Sequence, residues 1–199
     1  MASLTAHHNL TPRPLALLSI TGIATFQHPF FSSSACPLPA PPSESDVAAH
    51  LSGPITVGVL PSGTLTVFTL DKLTPDGAKN DVYTPPAPAP GVRSNRGDLY
   101  DYYLFHNLFP VLVGDIDPGY GPGTQVADWP PTVLIHGNAD PDVALDVSLH
   151  MHENLGGDKV KLFVAEGQGH LFEDVSWWED ETEGMGVVRE AVACLDGIV

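Results

Sequence analysis

The sequence predicts an α/β fold with a mostly parallel sheet, because three short apolar runs alternate with helical repeats near the two ends of the 199-residue chain. The runs occupy residues 15–20, 132–136 and 160–165, and a glycine follows each of them within two residues. From residue 129 onward the order is strand, helix, strand, helix with short turns. This order indicates right-handed crossovers between parallel strands.

The first run, Leu-Ala-Leu-Leu-Ser-Ile at residues 15–20, lies between Pro14 and Gly22. A continuous apolar run of this length is typical of a strand that is buried on both faces of a parallel sheet. We therefore expect it to be the first strand of the sheet.

The middle of the chain, residues 27–128, is irregular and predicts an excursion from the sheet. Two proline-rich stretches, residues 37–42 and 85–90, cannot form helices and indicate extended connections. Between them, two β-favouring runs joined by Pro-Ser-Gly predict a hairpin over residues 55–70. The aromatic-rich residues 99–108 predict a short helix.

Two helices are predicted from apolar residues at helical spacing in the last third of the chain. The first covers residues 141–155 and should end at Gly156 and Gly157. Its apolar row consists of Val143, Val147, Met151 and Leu155. The second is the terminal amphipathic helix, whose apolar row consists of Met185, Val188, Val192 and Leu195.

The composition excludes several classes of partner. Eight Lys and Arg against twenty-four Asp and Glu give a formal net charge of −16, which repels nucleic acid and anionic membrane surfaces. The sequence contains no apolar stretch of the roughly 20 residues that would cross a bilayer and no signal-peptide pattern at its start. We expect a cytoplasmic protein in which Cys36 and Cys194 are free thiols, with a single disulfide as the alternative.

A carboxylate and an imidazole follow two consecutive predicted strands. Asp140 comes four residues after the run at 132–136, and His170 comes five residues after the run at 160–165. Because functional groups collect past the carboxyl ends of parallel strands, we expect the two side chains to be neighbours. A carboxylate that accepts Nδ1–H from an imidazole fixes its tautomer for general-base catalysis.

The segments that carry these two residues resemble the α/β-hydrolases, most closely the esterase and prolyl-oligopeptidase-like branch. Residues 129–140, Trp-Pro-Pro-Thr-Val-Leu-Ile-His-Gly-Asn-Ala-Asp, are similar to the family's Pro-Pro-Thr-Leu-Leu-Ile-His-Gly-x-x-Asp segment. Residues 163–170, Phe-Val-Ala-Glu-Gly-Gln-Gly-His, look like its closing histidine motif. The resemblance implies that Asp140 is the catalytic acid and His170 the catalytic histidine.

The resemblance also implies a partial α/β-hydrolase fold, in which residues 1–199 form the C-terminal part of one domain. Residues 13–22 are similar to the strand that follows the nucleophile helix in these enzymes. Residues 27–128 then correspond to an irregular, Pro-rich, cap-like insertion.

The sequence departs from the family at the nucleophile. It contains no Gly-x-Ser-x-Gly elbow, and the nearest imitation, Leu60-Pro61-Ser62-Gly63, lies in the predicted hairpin. The His-Gly-Gly stretch that usually supplies the oxyanion hole is also absent. In the family's chain order, both missing parts would come before Met1.

The resemblance therefore implies a serine hydrolase of carboxylic ester or peptide bonds, without cofactor or metal, that has little or no turnover as this chain alone. The alternative is a non-catalytic remnant or binding protein on a truncated hydrolase fold. A metal-binding module using some of the nine histidines ranks last, because no pair of them has ligand spacing.

Individual residues have simpler interpretations beside the catalytic ones. Asp140 could cap the following helix, and Asp142 is the rival acid or a first-turn helix carboxylate. His136 ends a strand before glycine, where a structural hydrogen bond is the expected role. Trp177 and Trp178 could line a substrate pocket or pack against the last helix.

A sheet that lacks its early strands would leave an open edge on the strand at residues 15–20. Such an edge is an aggregation hazard unless a partner covers it. We therefore expect self-association of the chain through this edge.

Overall fold

The computed structural model describes residues 2–8, 11–52, 97–121 and 123–198. The chain forms two compact units, one made of Met1–Pro41 with Tyr100–Val199 and the other of Pro42–Leu99. The predicted hairpin over residues 55–70 and the second proline-rich stretch lie outside the described residues.

The first unit contains a three-stranded parallel sheet, which confirms the broad α/β class. Its strands are β1 (Leu17–Ile20), β2 (Thr132–Gly137) and β3 (Val160–Ala165), in the order β1-β2-β3. Leu17 pairs with Thr132, and Thr132 pairs with Val160, so consecutive strands begin side by side. The carboxyl ends of β2 and β3, at Gly137 and Ala165, are therefore also neighbours.

The first strand is less buried than the sequence predicts. β1 lies at an edge of the sheet, and only Leu17 of its four residues is buried. Leu15 lies before the strand and is 81% exposed, while Leu18 is 38% exposed. The expectation of burial on both faces over residues 15–20 was wrong, because the two helices that flank the sheet pack mainly against β2 and β3 and cover β1 less.

Six α-helices are described in the chain, two of which flank the sheet. They are α1 (Ala2–His7), α2 (Glu44–Leu51), α3 (Gly97–Phe105), α4 (Phe109–Val113), α5 (Leu145–Leu155) and α6 (Met185–Asp196). The predicted terminal helix is present as α6. None of the described helices combines the length and the apolar character that crossing a bilayer requires.

The predicted helix over residues 141–155 begins later than expected, at Leu145. The Oδ1 atom of Asp140 accepts the backbone N–H groups of Asp142 and Val143 at 2.8 and 2.9 Å. These bonds hold residues 140–143 in a turn around the Asp140 carboxylate. The N–H groups of Asp142 and Val143 therefore bond the side chain of Asp140, and the helix starts after them.

The alternation of side chains along β2 divides the core into two layers. Val133 and Ile135 pack with Met185 and Val188 of α6 on one face of the sheet. Leu134 belongs to the larger cluster on the opposite face. That cluster includes the apolar row of α5, namely Val143, Val147, Met151 and Leu155. All six residues of β2 are buried, as a central strand with helices on both faces requires.

Aromatic rings fill the core beside the long connection between β1 and β2. Phe26 stacks on Phe109 with ring centroids 4.6 Å apart, and Phe31 meets Phe26 at 5.0 Å. Asp117 is buried nearby and accepts hydrogen bonds from the Thr25 hydroxyl and the backbone N–H of Phe26. Asp117 thus connects the start of this connection, at Thr25 and Phe26, to a later part of it within the first unit.

The end of β2 makes a close approach to the loop after β3. A methyl group on Gly137 would stand 2.2 Å from the backbone oxygen of Gln168 and 2.9 Å from that of Gly169. The Ala139 N–H donates to the same Gln168 oxygen at 2.9 Å, and the Gly167 N–H donates to the Asn138 side-chain oxygen at 2.7 Å. The two loops are therefore in backbone contact, which only glycine at position 137 permits.

Substitution of Gly137 by alanine should force the two loops apart. Because the new methyl group meets backbone rather than a flexible side chain, we expect the free energy of unfolding in urea to fall by about 1–3 kcal/mol. Gly186→Ala is the matched control, since a side chain there meets nothing within 4 Å. In helix α6 that control should be neutral or stabilising by about 0.5–1 kcal/mol. Equal stability of the two variants would contradict the close approach.

Candidate active site

Asp140 occupies the turn that follows β2, and its side chain is fully shielded from solvent. Its Oδ1 atom accepts the two backbone N–H groups of the turn. Its Oδ2 atom accepts from His170 Nδ1–H at 2.8 Å and lies 3.5 Å from Nε2 of His136. A buried carboxylate with donors on both oxygens is held in one orientation.

His170 lies on the loop after β3 and is the partner that the strand order predicts for Asp140. The structure brings the two side chains together through the Nδ1–Oδ2 contact at 2.8 Å. The His170 side chain is 27% exposed, whereas that of Asp140 has no exposed surface. Since Nδ1–H points to the carboxylate, the lone pair on Nε2 is the one available to a reactant.

The environment changes the pKa of both groups in the directions that favour an ion pair. Burial alone would raise the pKa of Asp140, but hydrogen bonds from His136, His170 and the backbone of Val143 and Asp142 outweigh burial, and the net pKa is lowered. The hydrogen bond from His170 to Asp140 raises the pKa of His170 against the opposing effect of burial. The charges of Asp142 and Glu173 raise it further.

His136 contributes more contacts than its sequence position suggests. Its ring is completely buried at the end of β2, with Nδ1 2.7 Å from the Ser148 hydroxyl and Nε2 2.8 Å from the Val143 carbonyl. The expected structural hydrogen bond is therefore present. The sequence could not indicate that the same ring also approaches Asp140.

Asp142, the rival acid, lies beside the pair and belongs to a cluster that could be taken for a metal centre. One ligand atom each from Asp140, Asp142 and His170 lie within 4.8 Å of one another. However, Nδ1 of His170 and Oδ2 of Asp140 are bonded to each other, and Oδ1 of Asp140 accepts two backbone N–H groups. Most of the atoms that would have to bind a cation are therefore already engaged in hydrogen bonds.

Tyr100 connects the aromatic segment to the loop of the acid. Its hydroxyl donates a hydrogen bond to the backbone oxygen of Asp142 at 2.6 Å. Burial raises the pKa of this phenol, and the charges of Asp142, Asp140 and Asp101 add to the effect. A group of this kind stays protonated and acts here as a hydrogen-bond donor.

Thr21, at the same carboxyl end of the sheet, has an unusual backbone conformation that was not predicted from the sequence. It follows β1 with a φ of 46°, which strains a β-branched residue. The residue is 2% exposed, and its hydroxyl has no hydrogen-bond partner among the described residues. The Thr-Gly pair directly after an apolar run is the sequence signal that marks the turn.

No hydroxyl within the described residues forms a hydrogen bond with Nε2 of His170. Ser62, the nearest imitation of a nucleophile elbow, lies outside those residues. The described residues therefore contain the carboxylate–imidazole pair without a hydroxyl bonded to Nε2 of His170.

A cavity of about 420 Å³ lies elsewhere in the first unit. Trp129, three residues before β2, lines it together with His7 and with residues of the segments 118–121 and 123–125. It lies near the amino ends of the strands, whereas Asp140 and His170 follow their carboxyl ends, and neither residue lines it. The cavity is therefore separate from the Asp140–His170 pair.

The pair should make the stability of the protein depend on pH in a defined window. The raised pKa of His170 contributes stability below its unfolded value, about 6.5, and this contribution is lost as the pH rises through the folded pKa. The lowered pKa of Asp140 contributes stability above its unfolded value, about 3.9, which is lost as the pH falls toward the folded pKa.

The stability advantage of the protein over His170→Gln should thus be largest between about pH 4 and 6.5 and shrink above that range. Urea unfolding at a series of pH values measures it. His106→Gln is the control, because that exposed ring bonds no carboxylate among the described residues. An advantage that keeps growing above pH 7 would contradict the assignment of the ion pair.

Comparison with known proteins does not identify a family for this chain. The chain matches no family model, no curated protein and no solved structure to which it was compared. The geometry of Asp140 and His170 and the motifs around them are therefore the basis of the proposed function.

Proposed function

We propose that Asp140 and His170 are the acid and the general base of a serine-hydrolase-type site that acts on carboxylic ester or peptide bonds. The observation that carries this proposal is the 2.8 Å contact between His170 Nδ1 and Asp140 Oδ2, with the acid shielded and the imidazole partly exposed. This combination suits catalysis, because the partly exposed His170 ring can reach a substrate while the carboxylate that orients it stays shielded from water.

In the proposed mechanism, each group has one task. Asp140 fixes the tautomer that carries its proton on Nδ1, so that Nε2 presents a lone pair. Nε2 takes the proton of an attacking hydroxyl as the oxygen bonds to the carbonyl carbon, and the imidazolium formed is stabilised by the carboxylate. The same proton then passes from Nε2 to the leaving group as the scissile bond breaks.

The hydroxyl in this mechanism comes from outside the 199 residues. The sequence has no Gly-x-Ser-x-Gly elbow and no His-Gly-Gly stretch for an oxyanion hole. Without both, the pair can activate only water or another molecule's hydroxyl, and little or no turnover follows. The proposed substrate is a small ester or peptide that the completed site would bind.

The alternative function is a non-catalytic remnant or binding protein on the same fold. The missing elbow is the observation that favours it. In both cases we propose a cytoplasmic location, because Cys36 and Cys194 are free thiols in the structure. The charge of −16 argues against nucleic acid and anionic membrane surfaces as partners.

Labelling by a fluorophosphonate, with hydrolysis of p-nitrophenyl acetate as a second measure, distinguishes the two functions. We expect no labelling of the isolated chain. Labelling should appear when the chain is co-expressed with an in-frame upstream segment that encodes the elbow, and His170→Ala should abolish it. Asp140→Asn should lower the rate by about 10⁴-fold, because the carboxylate fixes the tautomer.

The controls decide between the remaining outcomes. Labelling that survives His170→Ala would contradict the proposed base. The absence of any elbow in the upstream reading frame would favour the binding protein. Labelling of the isolated chain that depends on His170 would exclude the binding protein and place the nucleophile within these 199 residues.

We also propose that the chain associates with itself through the open edge of β1. Leu17 and Thr21 donate backbone hydrogen bonds to the β2 side, so the backbone groups of Leu18 and Ile20 point away from β2. Among the described residues, no strand pairs with that side. Unpaired groups in a row are a template for a further strand.

Sedimentation velocity over a range of concentrations tests this edge. We expect concentration-dependent oligomers, and Leu18→Lys should reduce them because a charged side chain on an edge strand opposes pairing. Val111→Lys, on exposed helix α4, adds the same charge away from the edge and should leave them unchanged. A monodisperse monomer that melts cooperatively would contradict the proposal.

A further inference from the structure

We propose that His136 is a positioning residue, whose buried ring holds the loop of Asp140 in the conformation that presents the carboxylate to His170. The inference deepens the proposed function and rests on its acid–imidazole pair. The inference does not depend on turnover, because the effect of His136 on the pKa of His170 can be measured without a substrate.

The ring of His136 connects three segments of the first unit. It belongs to β2, its Nε2 atom lies 2.8 Å from the Val143 carbonyl oxygen, and its Nδ1 atom lies 2.7 Å from the Ser148 hydroxyl on α5. Both His136 and Ser148 are almost completely buried. The central strand, the loop of the acid and the following helix thus meet at one imidazole.

The partners determine where the proton of this ring resides. A backbone carbonyl can only accept, so Nε2 must carry the hydrogen that points to Val143. In the neutral ring Nδ1 then accepts from the Ser148 hydroxyl. The Nε2–H group also faces Oδ2 of Asp140 at 3.5 Å, the same oxygen to which His170 donates.

The loop of the acid is held from two sides. From within, Oδ1 of Asp140 accepts the N–H groups of Asp142 and Val143. From β2, Nε2–H of His136 donates a hydrogen bond to the carbonyl oxygen of Val143, a residue that is itself buried. Without that donor the carbonyl would be buried and unpaired, so the loop would have to shift toward another partner. The Asp140 carboxylate would move with it.

The ring offers two hydrogen bonds that can be removed separately. Ser148→Ala removes the bond at Nδ1, which holds the helix. His136→Asn places an amide near the Nδ1 position and removes the donor at Nε2, which holds the loop. In His136→Gln, the longer amide side chain can supply an N–H near the Nε2 position and so serves as the conservative rescue.

The experiment measures the pKa of His170 in each protein by NMR titration, together with the melting temperature. The charged groups that face His170 are Asp140, Asp142 and Glu173, and all three are unchanged in every variant. We expect the His170 pKa to fall toward its ordinary value in His136→Asn and to be restored largely in His136→Gln. In Ser148→Ala it should stay raised while the melting temperature falls.

Two results would overturn the inference. The first is a His136→Asn protein with a lower melting temperature but an unchanged His170 pKa, which would make His136 merely structural. The second needs no variant, so it applies even if His136→Asn does not fold. It is ¹⁵N detection of the Nδ1–H tautomer of His136 in the parent protein, which would leave the Val143 carbonyl without its donor.

The outcome is separable from that of the proposed function. If the His170 pKa responds as expected but no labelling by fluorophosphonate occurs with an upstream segment, the positioning role stands and the hydrolase proposal fails. If labelling occurs and the pKa does not respond, the hydrolase proposal stands and His136 has no part in positioning.

Discussion

The close approach of two loops at Gly137 is the constraint on which the candidate site depends. The loop after β3 passes so near the end of β2 that its backbone occupies the space of a side chain at this position. The hydrogen bond from Ala139 to Gln168 then fixes the distance between the loops. Asp140 and His170 extend from these two loops, so their 2.8 Å contact follows from the backbone rather than from the side chains alone.

Burial and hydrogen bonding together determine the pKa of the Asp140 carboxylate. A shielded carboxylate without donors would be protonated, and a protonated acid could not stabilise an imidazolium. Donors to both oxygens of Asp140 reverse that tendency and lower its pKa. The result is a fixed negative charge beside an imidazole whose Nε2 atom bonds no hydroxyl among the described residues, an electrostatic arrangement that suits general-base catalysis.

The sequence predicted the sheet and the pair because both depend on local patterns. The apolar run at residues 160–165 became β3 without change, and strand order alone brought Asp140 to His170. The start of α5 could not be predicted, since it depends on how the Asp140 side chain bonds its own turn. The exposure of Leu18 depends on which elements lie beside β1. The apolar pattern of residues 15–20 does not contain that information.

The attachment of the Asp140 loop to the central strand has a consequence for how the site can open. Every residue of β2 is buried, and the acid's loop is bonded both to that strand and to the loop of His170. Segments linked in this way exchange and unfold as one cooperative unit with the element that anchors them. Local fluctuations would therefore separate the imidazole from its carboxylate only rarely, and rupture of the site would share the free-energy cost of opening the sheet.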